Sequence, residues 1–130
     1  MDITVRTESF GVEDRSWLAS AHGADATRTI TLDPALFTAA THFPNGVLKS
    51  GTVLARVTAT GLYGPYNNAL ANGQEVAAGH LFNSVRMKTG GPKRGAPLLE
   101  HGFVLESKLP ANHGLDAAAK ADLAGWIKYR

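Results

Sequence analysis

The stretch Ser50–Asn68, SGTVLARVTATGLYGPYNN, constrains the fold of this chain more than any other. From Thr52 to Thr60 the residues alternate, with Val53, Ala55 and Val57 on one face and Leu54, Arg56 and Thr58 on the other. A period of two among β-branched residues predicts a strand. Gly61-Leu62 stops it, and Tyr63-Gly64-Pro65-Tyr66 follows, a corner in which two aromatics flank Gly-Pro. Glycine admits unusual backbone angles, proline fixes φ and removes a donor, and the tyrosines cover apolar area while keeping a polar tip. No acid, base or nucleophile stands beside the corner in the sequence, so it reads as structure rather than catalysis.

The remainder of the chain is organised around that stretch. Residues 1–15 begin by alternating, Ile3 and Val5 against Thr4 and Arg6, and then lose any core-forming pattern. They read as an extended arm outside the main fold or, alternatively, as an edge strand of the domain. Trp17, within Ser16-Trp17-Leu18, is placed to anchor the arm's base to the body or to a neighbour. Thr27–Leu32 reads as a strand with Ile30 and Leu32 inward. Asp33-Pro34 then caps a helical turn, Asp as N-cap and Pro at the first position, with Leu36 and Phe37 packing back. Phe43-Pro44-Asn45-Gly46 is a turn signal.

Val76–Met87 reads as one long buried strand, Thr89–Pro97 as a projecting loop and Leu98–Leu109 as another strand, with Gly102 marking a bulge or close backbone approach. Asp116–Leu123 predicts a helix carrying Leu115, Ala119 and Leu123 on one face and an Asp116–Lys120 pair at i,i+4. Trp126, Ile127 and Tyr129 bring more apolar surface than a free tail carries, so the C-terminus is expected to be packed. The division that follows is an arm over 1–15 and one β-rich domain over 16–130, a size that buries about two-thirds of the unfolded surface.

The net charge of +2 is unevenly placed. Residues 1–30 hold three cations against five carboxylates, a net of −2, whereas residues 86–130 hold eight against four, a net of +4. The asymmetry suits head-to-tail or partner contacts and is too weak for nucleic acid. The basic residues near 86–94 are not interleaved with aromatics, which leaves no platform for single-stranded nucleic acid. The sequence shows no signal peptide and no apolar run of membrane-spanning length, so a soluble chain made in a cytoplasm, with no membrane partner, is expected.

Candidates for chemistry are few. With no cysteine, disulfides, zinc–thiolate sites and a thiol nucleophile are excluded. The five histidines lie at 22, 42, 80, 101 and 113, no two within a helical turn, and read as structural rather than as metal ligands. The carboxylates fall in no acid/base or calcium-loop pattern, and no serine has a nucleophile-elbow context. The Gly-rich 89–97 segment lacks the spacing of a phosphate-binding loop. No catalytic residue, metal or cofactor is expected; spacing alone points to a mostly β, oligomeric binding or structural protein.

The order of the stretches is informative beyond their periodicity. SWLAS at 16–20, TITLD at 29–33, FPNGVLKSGTVLARVTATGLYGPYNN at 43–68, AAGHLF at 77–82, HGFVLESKLP at 101–110 and HGLDAAAKADL at 113–123 follow one another. This succession resembles the head-decoration proteins of tailed double-stranded-DNA bacteriophages, the phage lambda decoration-protein class, in the version found in phages of actinobacteria. The likeness runs from Ser16 to Leu123 and is most specific in Gly-Thr-Val-Leu and Gly-Leu-Tyr-Gly-Pro-Tyr.

The resemblance implies a mainly β, β-clip-like fold: a bent ribbon or incomplete barrel with short helices and an extended N-terminal arm. It implies a non-enzymatic homotrimer, without cofactor, on the outer surface of the expanded capsid at three-fold and quasi-three-fold positions, stabilising the shell against packaged DNA. Its partners are then the major capsid protein and itself, and its place the virion, assembled in the host cytoplasm. On this reading the arm adds a strand to an edge of the capsid protein. Ile3, Thr4, Val5, Arg6, Phe10, Trp17 and Leu18 are its expected contacts, and Tyr63, Pro65, Tyr66, Leu99 and Phe103 are the expected trimer contacts. The rival is a β-clip module for carbohydrate or a small ligand, with Trp17 or Trp126 exposed for stacking; a trimeric β-clip nucleotide hydrolase is a weaker rival, for want of a motif that activates water.

Overall fold

The computed structural model describes residues 15–19 and 27–130. The expected arm contacts Ile3, Thr4, Val5, Arg6 and Phe10 lie outside these residues. The described chain is mainly β with short helices. Its strands are β1 (Arg28–Leu32), β2 (Val47–Leu48), β3 (Val53–Arg56), β4 (Tyr63–Pro65), β5 (Ala77–Leu81), β6 (Val85–Arg86), β7 (Arg94–Leu99), β8 (Gly102–Val104) and β9 (Ile127–Tyr129). The α-helices are α1 (Ala39–His42) and α2 (Ala117–Leu123).

Five strands pair in the circular order β1-β4-β3-β5-β7. The ring is antiparallel except at the β1–β4 seam, which is parallel and only one residue pair long, Leu32 opposite Tyr63. One further bond, Asp33 N–H to the Tyr63 carbonyl at 3.1 Å, supports it. The pairings thus run full circle, yet the wall has almost no ladder at that seam, and the barrel is incomplete there. β2 pairs with β6, and β8 pairs with β9, as two small separate sheets.

Alternation along the barrel strands feeds two cores. Ile30, Leu32, Leu54, Tyr63, Leu81, Ala96 and Leu98, drawn from all five strands, pack with Phe37, Phe43, Leu48 and Met87. Val53, Ala55, Ala77 and Leu99, from the opposite faces of β3, β5 and β7, pack with Trp17, Val104, Ala119, Leu123 and Ile127. β3 is therefore buried on both sides, with Val53, Leu54 and Ala55 all at 1 % exposure or less.

Four expectations about strands and loops are corrected. β3 ends at Arg56 rather than Thr60, because the chain folds back through Val57 N–H to Leu62 O and Gly61 N–H to Val57 O. The run Val76–Met87 is two strands: after Leu81 the chain leaves the barrel, and Val85–Arg86 pairs with β2. The projecting loop is shorter than expected, since Arg94–Leu99 is barrel strand, Pro97 included, opposite Arg28–Leu32. The run Leu98–Leu109 is likewise broken, into the end of β7, β8 and a 3-10 turn over Glu106–Lys108.

The turn and helix signals behave as simple chemistry dictates. Asp33 caps the 3-10 turn Pro34–Leu36 by accepting from Ala35 N–H at 3.1 Å. Asp116 caps α2 by accepting from Ala119 N–H at 2.8 Å. The Asp116–Lys120 pair is not made; Lys120 instead meets Glu106 at 2.5 Å, leaving Asp116 to its cap.

Candidate functional site

The segment 15–19 is fastened where the two ends of the described chain meet. Leu18 bridges Val104 of β8 in antiparallel fashion, and backbone bonds join Ala19 N–H to Phe103 O at 3.0 Å and Leu105 N–H to Trp17 O at 2.6 Å. Trp17 is 1 % exposed; its ring stacks on His80 at 5.6 Å, and its indole N–H donates to Ser50 Oγ at 2.9 Å. Ser50 in turn donates to the Phe82 carbonyl, which also accepts from Arg15 Nε at 3.0 Å. The Arg15 guanidinium lies over the Phe82 ring and donates to Asn83 Oδ1. Of the two expected contacts described here, Trp17 is spent inside its own chain as an anchor, and Leu18 is half-buried beside it.

His80 is fully buried, and each ring nitrogen has one partner: Nδ1 the Gly51 carbonyl and Nε2 the Tyr129 hydroxyl, both at 2.7 Å. A carbonyl can only accept, so Nδ1 carries the hydrogen of the neutral ring and Tyr129 donates to Nε2. Burial pulls the His80 pKa down to about 4; the Gly51 bond opposes this and the charge of His113 adds to it. Burial, followed by the charge of Glu106, pushes the Tyr129 hydroxyl up. A sequence alone places His80 in a strand and gives no sign that it joins Trp17 to Tyr129.

The Tyr-Gly-Pro-Tyr corner faces inward. Tyr63, Tyr66 and Leu99 are buried in the cores, whereas Pro65 and Phe103 keep part of their surface. Tyr63 Oη accepts from Arg28 at 2.6 Å. Tyr66 donates to Asp116 Oδ1 at 2.9 Å, joining the corner to the cap of α2. Burial and that carboxylate push Tyr66 up to about 12. Gly64 is required by close approach, because a Cβ there would lie 2.8 Å from both Leu36 Cβ and Gln74 Nε2. Gln74, buried and donating to the Pro65 carbonyl at 2.8 Å, holds the corner's far side. Sequence reasoning missed it, since a glutamine in a polar loop carries no signal.

Among the described residues no group of three or more His, Cys, Asp or Glu side chains could hold a metal ion, and no helix is long and apolar enough to cross a membrane. His42 Nδ1 accepts from Thr38 N–H and His113 Nδ1 from Leu115 N–H, both helping to shape turns. Trp126, at 63 % exposure, is a different case: it rims a shallow depression of ≈ 170 Å³ with Phe103 and Lys128.

The model of the family described as bacteriophage lambda head decoration protein D matches residues 17–125, from the Trp17 anchor past the end of α2. Searches of curated proteins and of solved structures found no match.

Proposed function

Because this chain belongs to the bacteriophage lambda head decoration protein D family, we propose that it clamps the expanded capsid as a homotrimer at three-fold and quasi-three-fold positions. Membership makes it a structural protein of the virion, associated with the phage capsid surface. The observation that carries the reading is the reach of the family match, which takes in the Trp17 anchor, the barrel and α2 together. Cyclic symmetry suits such a clamp, since three copies of each contact act together and modest single contacts give a firm hold.

The segment before Trp17 is the main capsid-binding element, with Ile3, Thr4, Val5, Arg6 and Phe10 as its contacts. The buried Trp17 supports this role by fixing the root from which such an arm leaves. An arm that adds a strand to a capsid edge binds only where that edge is exposed, so binding follows shell expansion if expansion creates the edge. Trimer contacts fall to Pro65 and the exposed Asn67 and Asn68 beside it, because Tyr63, Tyr66 and Leu99 are already committed to the protomer's cores and the half-buried Phe103 has the Arg130 guanidinium over its ring. Assembly takes place in the host cytoplasm, from folded trimers.

A carbohydrate- or small-ligand-binding module gains no support from the depression at Trp126. Its ≈ 170 Å³ falls below the roughly 300–1,000 Å³ of small-molecule sites. Deleting residues 2–14 tests the arm while leaving Trp17 in place. Occupancy of expanded, decoration-free shells should collapse while the protein stays folded and trimeric; undiminished occupancy would exclude the arm as the capsid-binding element.

A further inference from the structure

Outside the arm and the corner, the feature that no role yet absorbs is the surface around Trp126. The ring is the most exposed of the large hydrophobic side chains among the described residues, and none of those residues covers it. Gly125 beside it borders open space: apart from its chain neighbours, no atom lies within 4 Å of where a Cβ would stand. Phe103 forms the other wall, with the Arg130 guanidinium 4.8 Å from its ring centroid. Lys128 lines the depression and has no ion-pair partner among the described residues. The nearby carboxylates are already engaged, Glu106 with Lys120 and Glu100 with Arg28. The surface is thus an apolar anchor beside the Lys128 ammonium, in the C-terminal third of the chain, residues 86–130, whose net charge is +4.

Its position gives it a partner. β8 carries Phe103 and lies between β9 and the segment 15–19, so the depression and the root of the N-terminal segment are parts of one small sheet. On the arm reading, the side of the molecule from which the segment 15–19 leads into the arm faces the capsid, and the depression belongs to the same sheet. We infer that the Trp126–Phe103–Lys128 surface is a second capsid contact, receiving an acidic segment of the capsid protein. This inference rests on the capsid-binding reading above. The tryptophan supplies the desolvated anchor that carries most of the energy in such contacts, and Lys128 with Arg130 supplies orientation and encounter rate.

The test uses the full chain and decoration-free expanded shells of its own phage, with wild type, Trp126→Ala, Lys128→Glu and Lys128→Gln compared. All are exposed positions, so melting temperature and solution mass should match wild type. Trp126→Ala should weaken shell binding by more than about 30-fold. Lys128→Glu should weaken it more than Lys128→Gln, and added salt should weaken wild type more than Lys128→Gln. Wild-type shell affinity in Trp126→Ala would overturn the inference while leaving the arm reading intact. Loss of trimer mass in Trp126→Ala would overturn it too, by making this a contact between copies. If wild type bound no shell, the capsid reading itself would fall, and the inference with it.

Discussion

His80 ties three distant stretches together through one side chain: the Trp17 anchor, the Gly51 turn and the C-terminal strand. Its lowered pKa fixes the direction of a pH dependence. Between about pH 6.5 and pH 4 the unfolded chain holds a proton on this ring that the folded chain refuses. Stability is therefore complete above pH 6.5 and falls as the pH drops, with a loss on the order of 3 kcal/mol near pH 4. His42 and His113, both lowered by burial, add to the same slope. Urea midpoints at pH 7 and pH 4.5 should separate clearly for wild type and by much less for His80→Gln, which keeps the slope of His42 and His113 and will be less stable at pH 7. An equal slope in the variant would exonerate His80. Tyr66 and Asp116 form a second residue-scale test. Tyr66→Phe loses one hydrogen bond, about 1 kcal/mol, whereas Asp116→Ala loses the cap of α2 as well and leaves the Tyr66 hydroxyl without its acceptor, about 2 kcal/mol or more.

At the scale of elements, the barrel wall depends on one glycine. β5 carries an extra residue, Ala78, opposite the Leu54–Ala55 step of β3, and the bulge brings Gly79 against β7. A Cβ on Gly79 would run into the Leu99 carbonyl oxygen, which is backbone and has nowhere to move. Gly79→Ala should cost several kcal/mol and lower the melting temperature by more than about 10 °C. Ala78→Gly next to it should cost no more than about 1 kcal/mol. This pair also marks the boundary of what a sequence reveals. Signals carried by neighbouring residues were legible: the Thr27–Leu32 alternation, the Asp33-Pro34 cap, the Phe43–Gly46 turn and Asp116 before its helix. Where a strand stops was not, because tertiary partners decide it: Ser84 bonds the Ser50 backbone and draws the chain out of the barrel after Leu81. The aromatic corner was visible as structure, but its inward direction came from Gln74 and Asp116, distant partners that no local pattern announces. Exposed Trp126 and buried Trp17 look alike in sequence; only the packing tells them apart.

At the scale of the whole molecule, Trp17 fastens the segment 15–19 to the barrel through His80 and Ser50, and to β8 through the backbone beside it. Trp17→Ala should cost roughly 3–5 kcal/mol through the cavity it leaves and reduce shell occupancy beyond what the lost stability explains. Trp17→Phe should recover stability in part, having no N–H for Ser50. The central proposal is that this chain decorates the outside of the phage head once the shell has expanded, and one measurement reaches it directly: binding of the purified protein to expanded and unexpanded decoration-free heads of its phage, with copies counted per shell. Saturation is expected on expanded heads alone, at about three copies for each three-fold and quasi-three-fold position. Binding to neither form, or equal binding to both, would contradict it.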